Sequence, residues 1–226
     1  MIKNNILEKL SDTQKTGESI KKLREANLRI PQNSIHEFTY ILYDLRTLLG
    51  NDKKTFLEIG SYMGSSASLM LQHNFKTNVI CIDPCELCLG HFEALKKNLE
   101  NNNIHNYGVE ILKNYSNDTN LINKLKANNT KVDILFIDGD HTRQAVINDW
   151  NNFKDFVNPG GFICFDDYYD DIYASQVRPA VDYIVQNLDT DKYEAIGSIE
   201  NIHKLQPVVQ YNHPDWINEF IIYKKQ

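Results

Sequence analysis

The chain has 226 residues, 42% hydrophobic and 24% charged, which suits one globular unit with a full core. Its 24 Lys plus Arg against 30 Asp plus Glu give a formal charge of −6 with no long basic cluster, which disfavours nucleic acid as a partner. No run reaches the ~18 apolar residues of a membrane span, and the opening MIKNNILEKLSDTQK is too polar for a signal-peptide core, so a cytoplasmic protein without membrane contact is expected.

The first fifty residues read as helix. Ile35, Phe38, Ile41, Leu42, Leu45, Leu48 and Leu49 recur on one helix face, and Pro31 stands just ahead of them, where proline helps start a helix. From Lys54 the rhythm changes. The short apolar runs TFLEIG, NVICID, VEIL, VDILFID and GFICFDD alternate with helical stretches, and EFIIYKK closes the chain. Buried parallel strands read this way, so the pattern predicts an open α/β sheet with helices on both faces. Asn-rich stretches at 98–106 and 127–130 read as helix ends and loops. Asn158-Pro159-Gly160-Gly161 reads as a turn that launches the GFICF strand. The division expected is an N-terminal helical segment, 1–50, capping the substrate side of a domain formed by 51–226.

In such sheets ligands sit beyond the carboxyl ends of the strands. After the first strand, Gly60 and Gly64 in EIGSYMGSS allow a tight turn and close approach of a ligand, although many folds use such a turn. The second strand ends in Asp83, about 20 residues on, where an acid can accept hydrogen bonds from both hydroxyls of a ribose. The same segment, CIDPCELC, places Cys81, Cys85 and Cys88 in the C-x3-C-x2-C spacing of iron–sulfur loops in radical enzymes. Such a loop follows an early barrel strand, not a second strand behind a nucleoside-binding turn. The four cysteines, with Cys164, are therefore expected as reduced thiols.

The fourth and fifth strands end in Asp138-Gly139-Asp140-His141 and Asp166-Asp167-Tyr168. Carboxylates converging at neighbouring strand ends repel one another unless a cation joins them, and Mg²⁺ favours oxygen ligands. The plainer reading is that Asp138 or Asp166 caps a helix while the others face solvent. Two clusters on adjacent strands favour metal.

With LEIGSYMGSSA, CIDP, ILFIDGDH and NPGGFICFDDY in this order, the sequence resembles the class I S-adenosylmethionine-dependent methyltransferases over residues ~30 to ~185. Within them it is most similar to the cation-dependent O-methyltransferases of the catechol and caffeoyl-CoA type and their sugar- and antibiotic-tailoring relatives. The resemblance implies a Rossmann-like, doubly wound fold. It places Glu58, Gly60, Ser61, Tyr62, Gly64 and Ser66 around the methionine part of S-adenosylmethionine, Asp83 at the ribose and Ser116 at the adenine, with Asp138 also bordering the cofactor. Asp138, Asp166 and Asp167 match metal-binding carboxylates for Mg²⁺ or another divalent cation. Catechol-type enzymes carry Asn at the last position, so Asp167 adds a negative charge. His141 matches the residue that takes the substrate proton, with Lys in catechol-type enzymes. Imidazole exchanges protons near neutrality and suits that work, or it orients Asp138 instead. Asp140 steers His141 or caps the following helix.

The activity this implies is methyl transfer to a hydroxyl of a small molecule, a sugar, phenol or natural product. Tyr40, Tyr168, Tyr169 and Tyr173, with the segment from Ile30 to Tyr40 and that from Tyr168 to Arg178, would border the acceptor. A metal-independent N- or O-methyltransferase and a non-catalytic cofactor-binding homologue stay open, as does a homo-oligomer. A nicotinamide enzyme is disfavoured, because G-x3-G replaces the dinucleotide fingerprint.

Overall fold

The computed structural model of the protein describes residues 2–30, 40–199 and 219–226. Three helices come first: α1 (Ile2–Lys15), α2 (Glu18–Asn27) and α3 (Tyr40–Leu48). Strands and helices then alternate through β1 (Lys54–Ile59), α4 (Ser65–Leu71), β2 (Thr77–Ile82), α5 (His91–Asn102), β3 (Val109–Leu112), α6 (Thr119–Ala127) and β4 (Val132–Ile137). The chain closes with α7 (Arg143–Phe153), β5 (Val157–Phe165), α8 (Val177–Gln186), β6 (Tyr193–Ser198) and β7 (Phe220–Lys224). The predicted residues Ile35 and Phe38, with Pro31, lie outside the described residues.

One seven-stranded sheet has the order β3-β2-β1-β4-β5-β7-β6. The first five strands run parallel, and β7 runs antiparallel between β5 and β6. Each central strand feeds two cores, because alternate side chains leave on opposite faces. Leu57, Ile59, Leu135, Ile137, Ile163 and Phe165 pack under α6, α7 and α8. Phe56, Ile134, Phe136, Phe162 and Cys164 pack under α1, α3 and α4. That double burial is why the strands read as unbroken apolar runs. VEIL differs: β3 is the edge strand, and Val109 is 37% exposed. Asn158–Gly161 also departs from a simple turn, since these residues lie inside β5, whose register against β4 shifts between Val132 and Ile134.

The N-terminal helices are part of the sheet's cover. Ile6, Leu10, Ile20, Leu23 and Leu45 share one core with α4 and α5. Arg46, fully buried, ties α3 to the sheet: Nε donates to Thr77 Oγ1 (2.8 Å), Nη1 to the Gly50 carbonyl (2.7 Å), and Nη2 to the Asp52 and Lys76 carbonyls (2.8 and 3.0 Å).

Asp44 is the other buried charge of α3, only 1% exposed, and burial pushes its carboxyl up to about 7 although Ser19 Oγ donates to Oδ2. The folded state therefore keeps a proton that the unfolded chain releases above pH ~4. Stability contributed this way is present at low pH and is lost as pH rises toward about 7. Asp44→Asn should flatten that slope and stabilise the protein at pH 8 by on the order of 1–3 kcal/mol. Urea melts of both proteins at pH 5 and pH 8 measure it. A variant no more stable at pH 8 would remove Asp44 as the source.

Candidate active site

The carboxyl ends of β1, β2, β4 and β5 are laced together by backbone hydrogen bonds: Gly60 N to Ile82 O (2.9 Å), Asp138 N to Ile59 O (2.9 Å) and Asp166 N to Ile137 O (3.1 Å). Gly60 has φ +84°, and a Cβ there would stand 1.9 Å from the Asp138 carbonyl oxygen. Only glycine lets β1 and β4 approach this closely. The turn continues through Tyr62 (φ 42°) and Gly64 (φ 79°) into α4.

Glu58, the residue before this turn, is fully buried. Ser66 Oγ donates to its Oε1, and burial pushes its carboxyl up to about 7. Glu58 Oε2, Ser61 Oγ and Ser65 Oγ are buried with no hydrogen-bond partner. Three orphaned polar atoms around one glycine turn match a ligand bearing both donors and acceptors. Asp83, 4% exposed, is held in place: its Oδ2 accepts the Tyr62 N–H (2.8 Å) and its Oδ1 the Cys85 N–H (2.6 Å). Buried His91 stands behind it, with Nε2 at 2.9 Å from the Tyr62 carbonyl and 3.8 Å from Asp83 Oδ1. Ser116 Oγ donates to Asp149 Oδ1 (2.6 Å), and burial lifts that carboxyl to about 6.

At the ends of β4 and β5 the acids meet. Asp138, His141 and Asp167 bring ligand atoms within 4.8 Å of one another. His141 Nε2 lies 3.3 Å from Asp167 Oδ2 and 3.7 Å from Asp138 Oδ1, with 36% of its side chain exposed. Asp166 is not one of that trio; it is 6% exposed beneath it. Burial and then the neighbouring acids hold Asp138 and Asp166 well above the usual carboxylate range. Asp167 sits in left-handed backbone, φ 57°, a conformation that Asn and Asp tolerate better than most residues. Asp140 turns away, accepting the Thr142 N–H (2.8 Å) where α7 starts.

Sequence reasoning missed Glu219. Phe165 pairs with Phe220 across the antiparallel β5–β7 ladder, so Asp166 and Glu219 meet at the strand ends. Glu219 is 3% exposed, and burial followed by the Asp166 charge raises its carboxyl well above the usual range. The available signal was a lone acid ahead of the apolar run FIIY; its partner strand was not readable. Among the described residues no Lys or Arg forms an ion pair with Asp138, Asp166 or Glu219.

The aromatic border is altered. Tyr40 is 1% exposed in the core, and Tyr168 is buried with its hydroxyl donating to Asp182 Oδ1 (2.6 Å). Tyr169 and the exposed Tyr173 lie in the connection between β5 and α8. Of the segment from Ile30 to Tyr40, 31–39 lie outside the described residues.

Cys81 is buried inside β2, Cys85 is buried beyond it and Cys88 is exposed, and among the described residues no group of converging ligand atoms combines them. Protein purified without air should accordingly be colourless and iron-free. Stoichiometric iron that disappears in a Cys85→Ser, Cys88→Ser variant would refute the thiol reading.

A family model described as a methyltransferase domain matches residues 57–168. Uncharacterized protein R132 of Acanthamoeba polyphaga mimivirus is 42% identical over 199 residues, 84% of this chain and 87% of that protein. Among solved structures, the O-methyltransferase from Bacillus cereus in complex with SAH has a TM-score of 0.60 at 15% identity, covering 98% of this chain and all of its own (100%). An rRNA methylase from Streptococcus thermophilus has a TM-score of 0.57 at 12% identity, covering 83% and 96%. These two structures share the fold with this chain. Among the described residues no helix is long and apolar enough to cross a membrane.

Proposed function

The chain belongs to the class I S-adenosylmethionine-dependent methyltransferases, and from that premise we propose that it methylates a hydroxyl of a small molecule with the help of a divalent cation. The observation that carries this reading is the acid cluster of Asp138, Asp166, Asp167 and Glu219, four carboxylates at the adjoining ends of β4, β5 and β7, of which Asp166 and Glu219 are buried and Asp138 and Asp167 half-buried. Burial and the neighbouring acids raise the proton affinity of Asp138, Asp166 and Glu219, and a hard cation with oxygen ligands offsets that repulsion. The donor set fits such an ion: Asp138 and Asp167 would hold it, with Asp166 and Glu219 adding negative charge beneath. The orphaned Glu58 Oε2, Ser61 Oγ and Ser65 Oγ fit the amino-acid end of the cofactor.

When bound, the cofactor supplies an electrophilic methyl group and the cation lowers the pKa of the acceptor hydroxyl. Glu58 Oε2 would accept a hydrogen from the methionine ammonium. Asp83, fixed by two backbone N–H groups, keeps lone pairs free for the ribose hydroxyls. Ser116 would border the adenine. His141 Nε2 would take the hydroxyl proton, and Asp138 and Asp167 on either side of it would stabilise the imidazolium formed. A second reading makes His141 a metal ligand, favoured by the same 4.8 Å grouping. Preference for a small acceptor over RNA rests on charge, since an acidic mouth on a chain of net charge −6 repels phosphates.

The test is turnover of S-adenosylmethionine with a panel of catechols, sugars and phenolic natural products, with EDTA and with added Mg²⁺. Methylation of a hydroxyl, lost in EDTA and restored by Mg²⁺, is expected. Undiminished activity in EDTA would favour the metal-independent alternative, and none with any acceptor the non-catalytic one.

The cofactor half is tested separately. Asp83→Ala removes the ribose contact, one pin on the Gly60 turn (Tyr62 N–H) and one on the loop after β2 (Cys85 N–H), and S-adenosylhomocysteine binding should weaken by roughly 1.5–3 kcal/mol. Calorimetry on folded protein measures it, and unchanged affinity would move the ribose elsewhere.

A further inference from the structure

A cavity of about 380 Å³ lies between the α1–α2 turn, α3 and the connection from α4 to β2. Since α4 runs from the Gly60 turn toward the amino end of β2, this cavity sits at the opposite end of the strands from Asp138. We propose that it binds an alkylammonium compound, a primary or secondary amine carried on a short apolar chain.

Asp44 lines the cavity while only 1% exposed. Its Oδ2 accepts the Ser19 hydroxyl hydrogen (3.1 Å), and its Oδ1 is buried with no partner. A buried carboxylate oxygen left without a donor is destabilising, and an ammonium N–H supplies both the donor and the opposite charge. Asp12 and Glu18 also line the cavity, and its lining contains no Lys or Arg. Lys15 neutralises Asp12 from the surface (2.9 Å), whereas Glu18 has no cationic partner among the described residues. The uncompensated charges facing a ligand are therefore those of Glu18 and Asp44.

The rest of the wall suits the carbon chain and the cation together. Tyr43 and His73 lie 4.1 Å apart between ring centroids, tilted by 38°, and Phe75 lies 5.2 Å from His73. His73 is neutral: its Nδ1 accepts the Phe75 N–H (2.9 Å), its Nε2 meets Thr47 Oγ1 (3.1 Å), and burial, with Arg46 nearby, pulls it down to about 3. Tyr43 also keeps its proton, because burial and Glu18 push it up to about 12. Neutral rings beside carboxylates attract an organic cation. Phe75 contributes least, since Arg46 already stands 5.6 Å from its ring centre. A quaternary ammonium would touch the rings but has no N–H for Asp44 Oδ1, so the geometry favours amines that still carry hydrogen.

Calorimetry on the full chain near pH 7.5, without S-adenosylmethionine, tests this independently of the methyltransferase reading. The probes are 1,4-diaminobutane, choline and 1,4-butanediol. Saturable binding of the diamine, weaker binding of choline and none of the diol are expected. Asp44→Asn should lower diamine affinity at least about tenfold. That variant should be more stable than the parent at this pH, so lost binding is not lost folding. Glu18→Gln, at the rim, should lower it by a smaller factor, and more so at low salt. No saturable diamine binding below about 10 mM would overturn the proposal. So would equal affinity in Asp44→Asn, or choline binding as tightly as the diamine.

Discussion

Asp138→Asn is expected to reduce turnover at least about 10³-fold, the several kcal/mol that loss of a metal-held acceptor represents. S-adenosylhomocysteine affinity should stay within a few fold. The backbone amide of Asp138 closes the β1–β4 junction on Ile59 O (2.9 Å) and is untouched by the change, so the cofactor turn persists. Asparagine also keeps the volume while removing one charge from a cluster whose members lift one another's proton affinity. The metal-free variant should therefore melt no lower than the parent, and thermal melts with and without Mg²⁺ separate the two effects. Parent protein should gain stability from Mg²⁺ through ligand linkage, and Asp138→Asn should gain less. Equal turnover by variant and parent would remove Asp138 from the reaction.

His141→Ala should lose about 10²–10⁴ in rate, the usual scale for a general base. Its deficit should shrink as pH rises, because acceptors ionising in solution need no base. The Asp138→Asn deficit should not shrink, since a missing carboxylate is not replaced by hydroxide. A pH–rate series on both variants with an accepted substrate gives the contrast, and Mg²⁺ titration adds the second readout. Metal affinity unchanged in His141→Ala supports Nε2 as the proton acceptor. Metal affinity lost together with a pH-independent deficit would make His141 a ligand beside Asp138 and Asp167.

Much of this arrangement is local and therefore legible. Parallel strands buried on both faces demand unbroken apolar runs, which is why TFLEIG, NVICID, VDILFID and GFICFDD announced β1, β2, β4 and β5. The end of such a run lies at the ligand mouth of an open α/β sheet, so Gly60, Asp83, Asp138 and Asp166 could be singled out from position alone. Gly60 also has a local reason, a left-handed φ with a backbone carbonyl where a Cβ would be.

What the sequence could not carry depends on contacts between distant segments. Glu219 joins Asp166 because β7 inserts antiparallel between β5 and β6, an order no local pattern records. Ser116 meets Asp149 only once the loop after β3 lies against α7. Asp44 and Arg46 stand on the same helix, yet Arg46 finds four oxygens from β2 and two connections while Asp44 keeps one oxygen without a donor. Sequence determined the strands, their ligand-facing ends and the chemistry placed there, because those follow from side-chain periodicity and backbone sterics. Tertiary structure alone decided which acids share a charge cluster and which are left unpaired, because burial and Coulomb interaction depend on distances in space rather than along the chain.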